Sequence, residues 1–235
     1  YAKKKIENSA SLKELEEKTT NNWNQLLSQI QVQGKTDREN LFYSLLYRSL
    51  QAPYLISEED GTYRTIDGSI KTANFSVYNG WAIWDNYREQ LPMLSLIYPK
   101  KFDPIAKSIA NLYPYGKKNW ATMHEPSPTV RTEHAIVVLL DAHRKGYTVD
   151  FESIKDSLIK EVENLDYGSP DKALESSYDN WAMAEILEIT GDTLLSKKYK
   201  QKALDYKNYW KKDFADLSKD DIDQMQAREL YQGTI

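Results

Sequence analysis

The densest run of side chains capable of chemistry is Trp81-Ala82-Ile83-Trp84-Asp85-Asn86-Tyr87-Arg88. On a helix, Trp84 and Arg88 lie one turn apart on one face, and Trp81 and Asp85 are related in the same way. Two indole rings offer flat apolar surfaces for stacking on a sugar ring, while a carboxylate and a guanidinium can fix its hydroxyl groups. The same run is equally typical of a helix N-terminus, where the dipole favours Asp85 and the tryptophans are packed in the core.

A second cluster, Tyr178-Asp179-Asn180-Trp181, repeats this chemistry further along the chain. Taken alone, it is more typical of a helix with one buried tryptophan than of a ligand site. Taken together, the two clusters favour a shared pocket of aromatic and acidic side chains.

Other reaction types find little support in the sequence. The pairs His124-Glu125 and Glu133-His134 lack the spacing of a helical zinc site, and the chain has three histidines and no cysteine. There is no G-x-S-x-G, phosphate-loop or G-x-G-x-x-G motif, so acyl transfer, nucleotide hydrolysis and hydride transfer are disfavoured. Carboxylates remain, and glycoside hydrolysis uses two of them. With 35 Asp and Glu residues, the sequence does not identify that pair.

Composition limits the partners and the compartment. The 235 residues carry a net charge of −4, which argues against a nucleic-acid binder. No apolar run approaches the ~18 residues of a membrane span. The first residues, Tyr1-Ala2-Lys3-Lys4-Lys5, contain no signal-peptide core, and the chain is expected to be cut from something longer. The 6 Trp and 17 Tyr are mostly expected to be packing residues.

The elements that must position these clusters are helices. Ser11-Leu12-Lys13-Glu14 and Thr36-Asp37-Arg38-Glu39 are predicted capping boxes. Residues 53–76 carry turn signals, including Asp67-Gly68, and are predicted to form a long loop with one or two short hairpins. The helical period returns over Trp81–Tyr98, with a kink or restart at Pro92.

Further helices are predicted along the rest of the chain. Asp103-Pro104 is expected to be an N-cap and first helical residue. Helices follow over residues 133–145 (closed by Gly146), from Asp150, over 174–190 (ending at Gly191), and over 194–210. About eight helices in sequential pairs, without helix–strand alternation, predict a single all-α domain of the helical-hairpin toroid type.

Several short motifs follow one another in a distinctive order: Phe42-Tyr43-Ser44-Leu45-Leu46-Tyr47-Arg48, Asp60-Gly61-Thr62-Tyr63, Ile83-Trp84-Asp85-Asn86-Tyr87-Arg88 with Pro92, Trp120, Glu133-His134-Ala135, Asp141-Ala142-His143-Arg144-Lys145-Gly146 and Ser177-Tyr178-Asp179-Asn180-Trp181. In kind and order they resemble glycoside hydrolase family 92 over nearly the whole chain. The resemblance implies an (α/α)6 toroid and a calcium-dependent, inverting exo-α-mannosidase that is secreted, periplasmic or on the bacterial cell surface.

The resemblance also implies that residues 1–235 are part of the catalytic toroid. The family's N-terminal β-sandwich domain and the C-terminal part of the toroid are then absent, as are the water-activating carboxylates and the Ca²⁺ ligands. Alone, the chain is expected to be inactive and to associate with itself or with its missing remainder. Its partners are expected to be mannose-containing glycans or mannosyl-phosphates, with no nucleic acid.

Site residues follow from the matched motifs. The resemblance implies that Trp84, Asp85 and Arg88 line the mannose pocket, with contributions from Trp120 and Asp179. The family's general acid matches Gln232 in Tyr231-Gln232-Gly233, and an amide cannot donate a catalytic proton.

The substitution at Gln232 leaves three interpretations. A phosphate leaving group needs no protonation, since the second pKa of a phosphomonoester is about 6; this favours cleavage of mannose-1-phospho-6-mannose linkages. The alternatives are an ordinary α-1,2-type mannosidase of glycans and an inactive carbohydrate-binding helical scaffold.

Overall fold

The computed structural model describes residues 11–65, 67–80, 82–115, 134–168 and 170–213. The chain divides into two compact units, Tyr1–Ala52 and Pro53–Ile235. Among the described residues, the first unit is helical, and the second combines helices with short strands.

The first unit consists of two helices in contact, α1 (Leu12–Leu27) and α2 (Thr36–Ser49). The capping box predicted for α1 is confirmed. The backbone N–H of Glu14 donates to Ser11 Oγ at 3.3 Å, and that of Ser11 donates to Glu14 Oε2 at 2.7 Å. The rings of Trp23 and Tyr47, one from each helix, lie 4.5 Å apart.

The capping box predicted for α2 is wrong. The N-cap is Lys35, which makes no side-chain capping bond, and Thr36 already belongs to the helix. The carboxylate of Glu39 instead accepts the backbone N–H of Gly34 at 2.8 Å. The Glu39 carboxylate, which a capping box would bond to the N-cap backbone, is therefore bonded to the preceding loop instead.

The second unit begins with four short strands, β1 (Tyr54–Leu55), β2 (Thr62–Arg64), β3 (Ile70–Thr72) and β4 (Tyr78–Asn79). They form two antiparallel pairs, β1 with β4 and β2 with β3. The turn between β2 and β3 contains Asp67, whose carboxylate accepts bonds from the Thr65 hydroxyl and from Ser69 N–H. The predicted hairpin at Asp67-Gly68 is therefore confirmed.

The remaining elements are α3 (Ile83–Asn86), α4 (Gln90–Ile97), α5 (Pro99–Ala110), a 3₁₀ turn (Tyr113–Tyr115), α6 (Ala135–Arg144), α7 (Phe151–Glu163), α8 (Pro170–Ile189), α9 (Thr193–Ala203) and α10 (Tyr206–Asp213). The helix predicted over Trp81–Tyr98 is divided at residues 87–89, just before Pro92. Pro92 lies in the first turn of α4, where a backbone N–H has no intrahelical partner to lose.

The start of α5 also differs from the prediction. The helix begins at Pro99, not at an Asp103 N-cap, and Pro104 lies inside it. Asp103 pairs with Lys107 one turn later, at 2.7 Å. Proline is favoured at the first helical position because its fixed φ suits a helix, and Pro99 meets that condition one turn earlier.

The core of the second unit lies around α6 and α8. Helix α6 is buried at nearly every position from Ala135 to Ala142. Helix α8 contacts α6, α7, α9 and α10.

Gly146 and Gly191 follow α6 and α8 with φ of +90° and +83°, which confirms both as the predicted C-terminal signals. In the described part of the chain, no helix has the length and apolar character to cross a membrane.

Candidate functional site

A cavity of about 550 Å³ opens where the α3–α4 turn, the start of α6 and the first half of α8 meet. Its described lining residues are Tyr87, Arg88, Pro92, His134, Val137, Val138, Asp141, Leu174, Glu175 and Tyr178. This volume lies in the range of small-ligand sites, and the lining joins aromatic and apolar surface to a few charged groups, as such sites do.

A buried histidine–aspartate pair supports the start of α6. His134 Nδ1 lies 2.7 Å from Asp179 Oδ1, and the His134 backbone N–H donates to Oδ2 at 3.4 Å. Both side chains are 1% exposed. His134 adopts φ 67°, ψ 10°, and among the described residues no other non-glycine residue has positive φ. Asp179 therefore holds both the ring and the left-handed backbone of His134.

Two tyrosines flank the imidazole ring. The ring centres of Tyr87 and Tyr178 lie 4.4 Å and 5.6 Å from that of His134. Tyr178 also stacks on Trp181, at 5.4 Å with 6° between the planes. Burial raises the pKa of Tyr178, so its hydroxyl remains protonated and able to donate at neutral pH. These rings give the cavity flat apolar faces with polar edges.

Charged groups of both signs reach the cavity. Arg88 is exposed; its Nε donates to the Tyr87 hydroxyl at 2.9 Å and its guanidinium lies 5.1 Å from the Tyr87 ring centre. On the side formed by α8, Glu175 accepts a bond from the indole N–H of Trp84 at 2.5 Å. Asp141 pairs with Lys145 at 2.6 Å. A ligand here would meet a cation and carboxylates, an arrangement suited to hydroxyl groups or to a mixed-charge molecule.

The sequence profile of the glycosyl hydrolase family 92 catalytic domain matches residues 1–172. The chain belongs to glycosyl hydrolase family 92. The resemblance read from the motifs is thereby confirmed.

Solved structures of this family share the fold. The family 92 glycosyl hydrolase CcMan5 superposes with a TM-score of 0.73 and 24% identity, over 85% of this chain and 29% of that one. An α-mannosidase of Bacteroides thetaiotaomicron in complex with mannoimidazole gives 0.76 and 22%, over 86% and 30%. An inverting mannosidase of Bacteroides thetaiotaomicron VPI-5482 gives 0.73 and 24%, over 86% and 32%.

These comparisons confirm the predicted all-α fold of the α/α-toroid type. The chain spans between 29% and 32% of the length of those proteins. None of the curated protein sequences matches it significantly.

The family 92 site residues inferred from the sequence take different positions. Arg88 lines the cavity. Trp84 does not belong to the described lining, but its indole N–H donates to Glu175, which does. Asp179 lies behind the lining and holds His134. Asp85 is exposed on α3 and does not belong to the described lining. Positions that lie outside the described residues are Trp81, Trp120, His124, Glu125 and Gln232.

Sequence reasoning missed two of the groups that shape this site. The sequence analysis places His134 in a rejected zinc pair and in the motif Glu133-His134-Ala135 but gives it no site role, and its left-handed conformation has no local signature. Glu175 lies in a helix with many polar residues, and only its bond to Trp84, 91 positions away, marks it.

The described residues do not fit a calcium site. Ca²⁺ takes six to eight oxygen ligands, whereas the described part of the chain contains no group of three or more acidic, His or Cys side chains placed to hold a metal ion. Beside the cavity, the carboxylate of Asp179 is already bonded to Nδ1 and to the backbone N–H of His134.

Proposed function

We propose that the protein acts as an inverting exo-α-mannosidase-like glycoside hydrolase and that the cavity between α3, α6 and α8 binds a mannose ring. Membership in glycosyl hydrolase family 92 carries this proposal. The cavity supports it, because Tyr87 and Tyr178 offer stacking faces while Arg88 and Glu175 offer a donor and an acceptor for hydroxyl groups.

In this proposal the described residues bind and orient the sugar. Inversion requires one carboxylic acid to protonate the leaving oxygen and one carboxylate to activate water. We place that second carboxylate, like any Ca²⁺ ligands, outside the described residues. Arg88 and Glu175 would hold the ring so that water reaches only one face of the anomeric carbon. We further propose that the protein is secreted, periplasmic or on the cell surface.

The test of this proposal is the stereochemistry and the Arg88 dependence of mannoside hydrolysis by the intact natural protein. We expect β-mannose as the first product of an α-mannoside, observed by proton NMR before mutarotation. Replacing Arg88 by Ala should lower kcat/KM about 10- to 100-fold, the effect of losing a charge-assisted hydrogen bond. The matched control is Arg38→Ala, an exposed arginine of α2.

Three results would contradict the proposal. Release of α-mannose would exclude inversion. Equal activity of the Arg88→Ala and Arg38→Ala variants would remove the cavity from the reaction. Mannoside binding without turnover of either an α-mannoside or a mannosyl-phosphate diester would instead favour a carbohydrate-binding scaffold.

We also propose a preference for mannosyl-phosphate linkages, because the resemblance of Tyr231-Gln232-Gly233 to the family's general-acid motif implies that Gln232 stands in place of the acid. A phosphate leaves without protonation, whereas a sugar alkoxide does not. The intact protein should therefore hydrolyse a mannose-1-phospho-6-mannose diester faster than α-1,2-mannobiose. Gln232→Glu should raise mannobiose hydrolysis, and Gln226→Glu, a nearby control, should not. Efficient hydrolysis of mannobiose by the natural protein, without turnover of the diester, would refute this preference.

A further inference from the structure

The two ring nitrogens of His134 have different surroundings. Nδ1 faces the carboxylate of Asp179 at 2.7 Å. Nε2 is buried and has no hydrogen-bond partner within the described part of the chain. Buried polar atoms in folded proteins are nearly always hydrogen-bonded. An unpartnered nitrogen on a side chain that lines a cavity therefore calls for a partner from outside the described residues, and a ligand in the cavity can supply it.

The pair with Asp179 determines what Nε2 can do. An ionised carboxylate only accepts hydrogen bonds, so Nδ1 must carry the proton in this pair. In the neutral imidazole, the other nitrogen then carries a lone pair and acts as an acceptor. Asp179 thus presents Nε2 of the neutral ring to its surroundings as an acceptor.

The position of the ring gives this acceptor a direction. His134 belongs to the cavity lining and Asp179 does not. Nδ1 and Nε2 occupy different edges of the imidazole, and the flanking Tyr87 and Tyr178 both line the cavity. Nε2, which does not face Asp179, is therefore the ring nitrogen left for a partner in the cavity.

The backbone makes the arrangement rigid. A non-glycine residue with φ near +67° is uncommon, and such conformations persist where the surrounding structure fixes them. Here the His134 N–H is held by Asp179, and its C=O accepts the N–H of Val138 in the first turn of α6 at 3.0 Å. The imidazole starts from a backbone anchored on both sides.

We infer that Nε2 of His134 accepts a hydrogen bond from one hydroxyl group of the sugar bound in this cavity, and that Asp179 is the positioning residue that fixes the tautomer. The identity of the sugar rests on the proposed function. The role of the pair rests on the cavity and on the unpartnered nitrogen.

The first experiment uses nitrogen NMR on the intact protein labelled with ¹⁵N-histidine. This chain contributes three histidines, and the His134 signals can be assigned as those that disappear in His134→Asn. We expect one protonated and one unprotonated ring nitrogen for His134. Methyl α-D-mannoside should move the unprotonated signal towards the protonated position and leave His143 unchanged. An unaltered His134 signal at saturating sugar would overturn the inference.

The second experiment asks which hydroxyl is recognised. Among methyl α-mannosides lacking one hydroxyl in turn, one should bind the natural protein about three- to tenfold more weakly, the effect of one neutral hydrogen bond. His134→Asn keeps a residue that tolerates positive φ and can reach Asp179, but it lacks a group at the Nε2 position. In that variant the discrimination should fall below about twofold.

Two further variants separate recognition from folding. His134→Gln offers an amide oxygen near the Nε2 position and should restore part of the discrimination. Asp179→Asn can donate to Nδ1 and so place the proton on Nε2; its NMR signals should show the exchanged tautomer, with weaker sugar binding. Unchanged discrimination in His134→Asn would overturn the inference.

The outcomes distinguish this inference from the proposed function. Normal hydrolysis with no His134 effect on binding or NMR refutes only the inference. Sugar binding that moves the His134 signal, without turnover, refutes only the proposed hydrolase activity. Absence of both mannoside binding and mannoside turnover refutes both.

Discussion

Removing the carboxylate of Asp179 should destabilise the protein far more than removing a similar carboxylate at the surface. Asp179→Ala leaves His134 Nδ1 and the His134 backbone N–H without their acceptor, in a site where both side chains are 1% exposed. Asp103→Ala is the matched control. Asp103 pairs with Lys107 at 2.7 Å, the same distance as in the buried pair, but its side chain is 36% exposed.

The magnitudes follow from burial and not from distance. Breaking a buried ion or charge-assisted pair by removing one partner costs about 3–5 kcal/mol, because the remaining groups stay buried without a partner. An exposed pair contributes about 0–1 kcal/mol. We therefore expect Asp179→Ala to lower the free energy of unfolding by about 3–5 kcal/mol and Asp103→Ala by less than about 1 kcal/mol. Asp179→Asn preserves the volume and should fall between them.

Urea unfolding followed by far-ultraviolet circular dichroism measures these differences, with the slope checked for each variant. Should Asp179→Ala prove too unstable to purify, the comparison of Asp179→Asn with Asp103→Asn keeps the same contrast. The reasoning is refuted if the Asp179 and Asp103 variants lose equal stability with equal slopes. That result would mean that solvent or a relaxed backbone satisfies the His134 donors.

Two further predictions concern the backbone and the pH dependence of stability. Gly80 has φ +84°, and a Cβ there would lie 2.0 Å from a ring carbon of Tyr54, whereas Gly146 has φ +90° and open space around it. In urea unfolding, Gly146→Ala should lower the free energy of unfolding by about 1–2 kcal/mol, and Gly80→Ala should lower it clearly more. Equal losses for the two variants would contradict the clash with Tyr54. Hydrogen bonds, above all from the Tyr199 hydroxyl, lower the pKa of Glu163 from 4.5 to about 2. A carboxyl whose pKa is lowered in the folded state stabilises the protein above its unfolded pKa and loses that contribution as the pH falls to the folded pKa. The free energy of unfolding, measured between pH 5 and 2, should therefore fall less steeply for Glu163→Gln than for the natural protein. Parallel curves for the two proteins would refute this.

Local signals predicted much of the fold. The capping box at Ser11, the turn at Asp67-Gly68 and the cap at Asp150, which accepts Ser153 N–H at 3.2 Å, depend on neighbours within a few residues. Such interactions can be predicted from the sequence because both partners lie within a few residues of each other. The α/α arrangement followed from the helical period combined with the motif order.

Predictions failed where two local signals competed. Glu39 matched the third helical position of a capping box, yet its carboxylate bonds to Gly34 in the preceding loop. Asp103-Pro104 matched a helix start, yet Pro99 begins the same helix one turn earlier. Sequence patterns show which groups could bond, and the surrounding chain decides which of those bonds forms.

The candidate site was predicted only where its residues are adjacent in the chain. Trp84 and Arg88 were marked by one dense cluster, and both contribute to the cavity, directly or through Glu175. Asp179 is predicted from the Tyr178-Asp179-Asn180-Trp181 cluster and the family resemblance to contribute to the mannose pocket, and in the structure it bonds to His134, 45 positions away. That pairing depends on α6 packing against α8, which no local pattern encodes.

The site is coupled to the core through α6. This helix is buried almost throughout, so its N-terminus cannot shift without moving the residues packed around Val138 and Leu139. His134 lies at that N-terminus and is fixed there by Asp179 from the equally buried face of α8. In the inferred complex, a nitrogen held this way would bind the sugar without a loop having to be ordered first, which would reduce the entropy lost on binding. Substitutions beneath α6, such as Leu139→Ala, should therefore weaken sugar binding as well as stability, whereas a cavity-edge substitution such as Arg88→Ala should weaken binding alone.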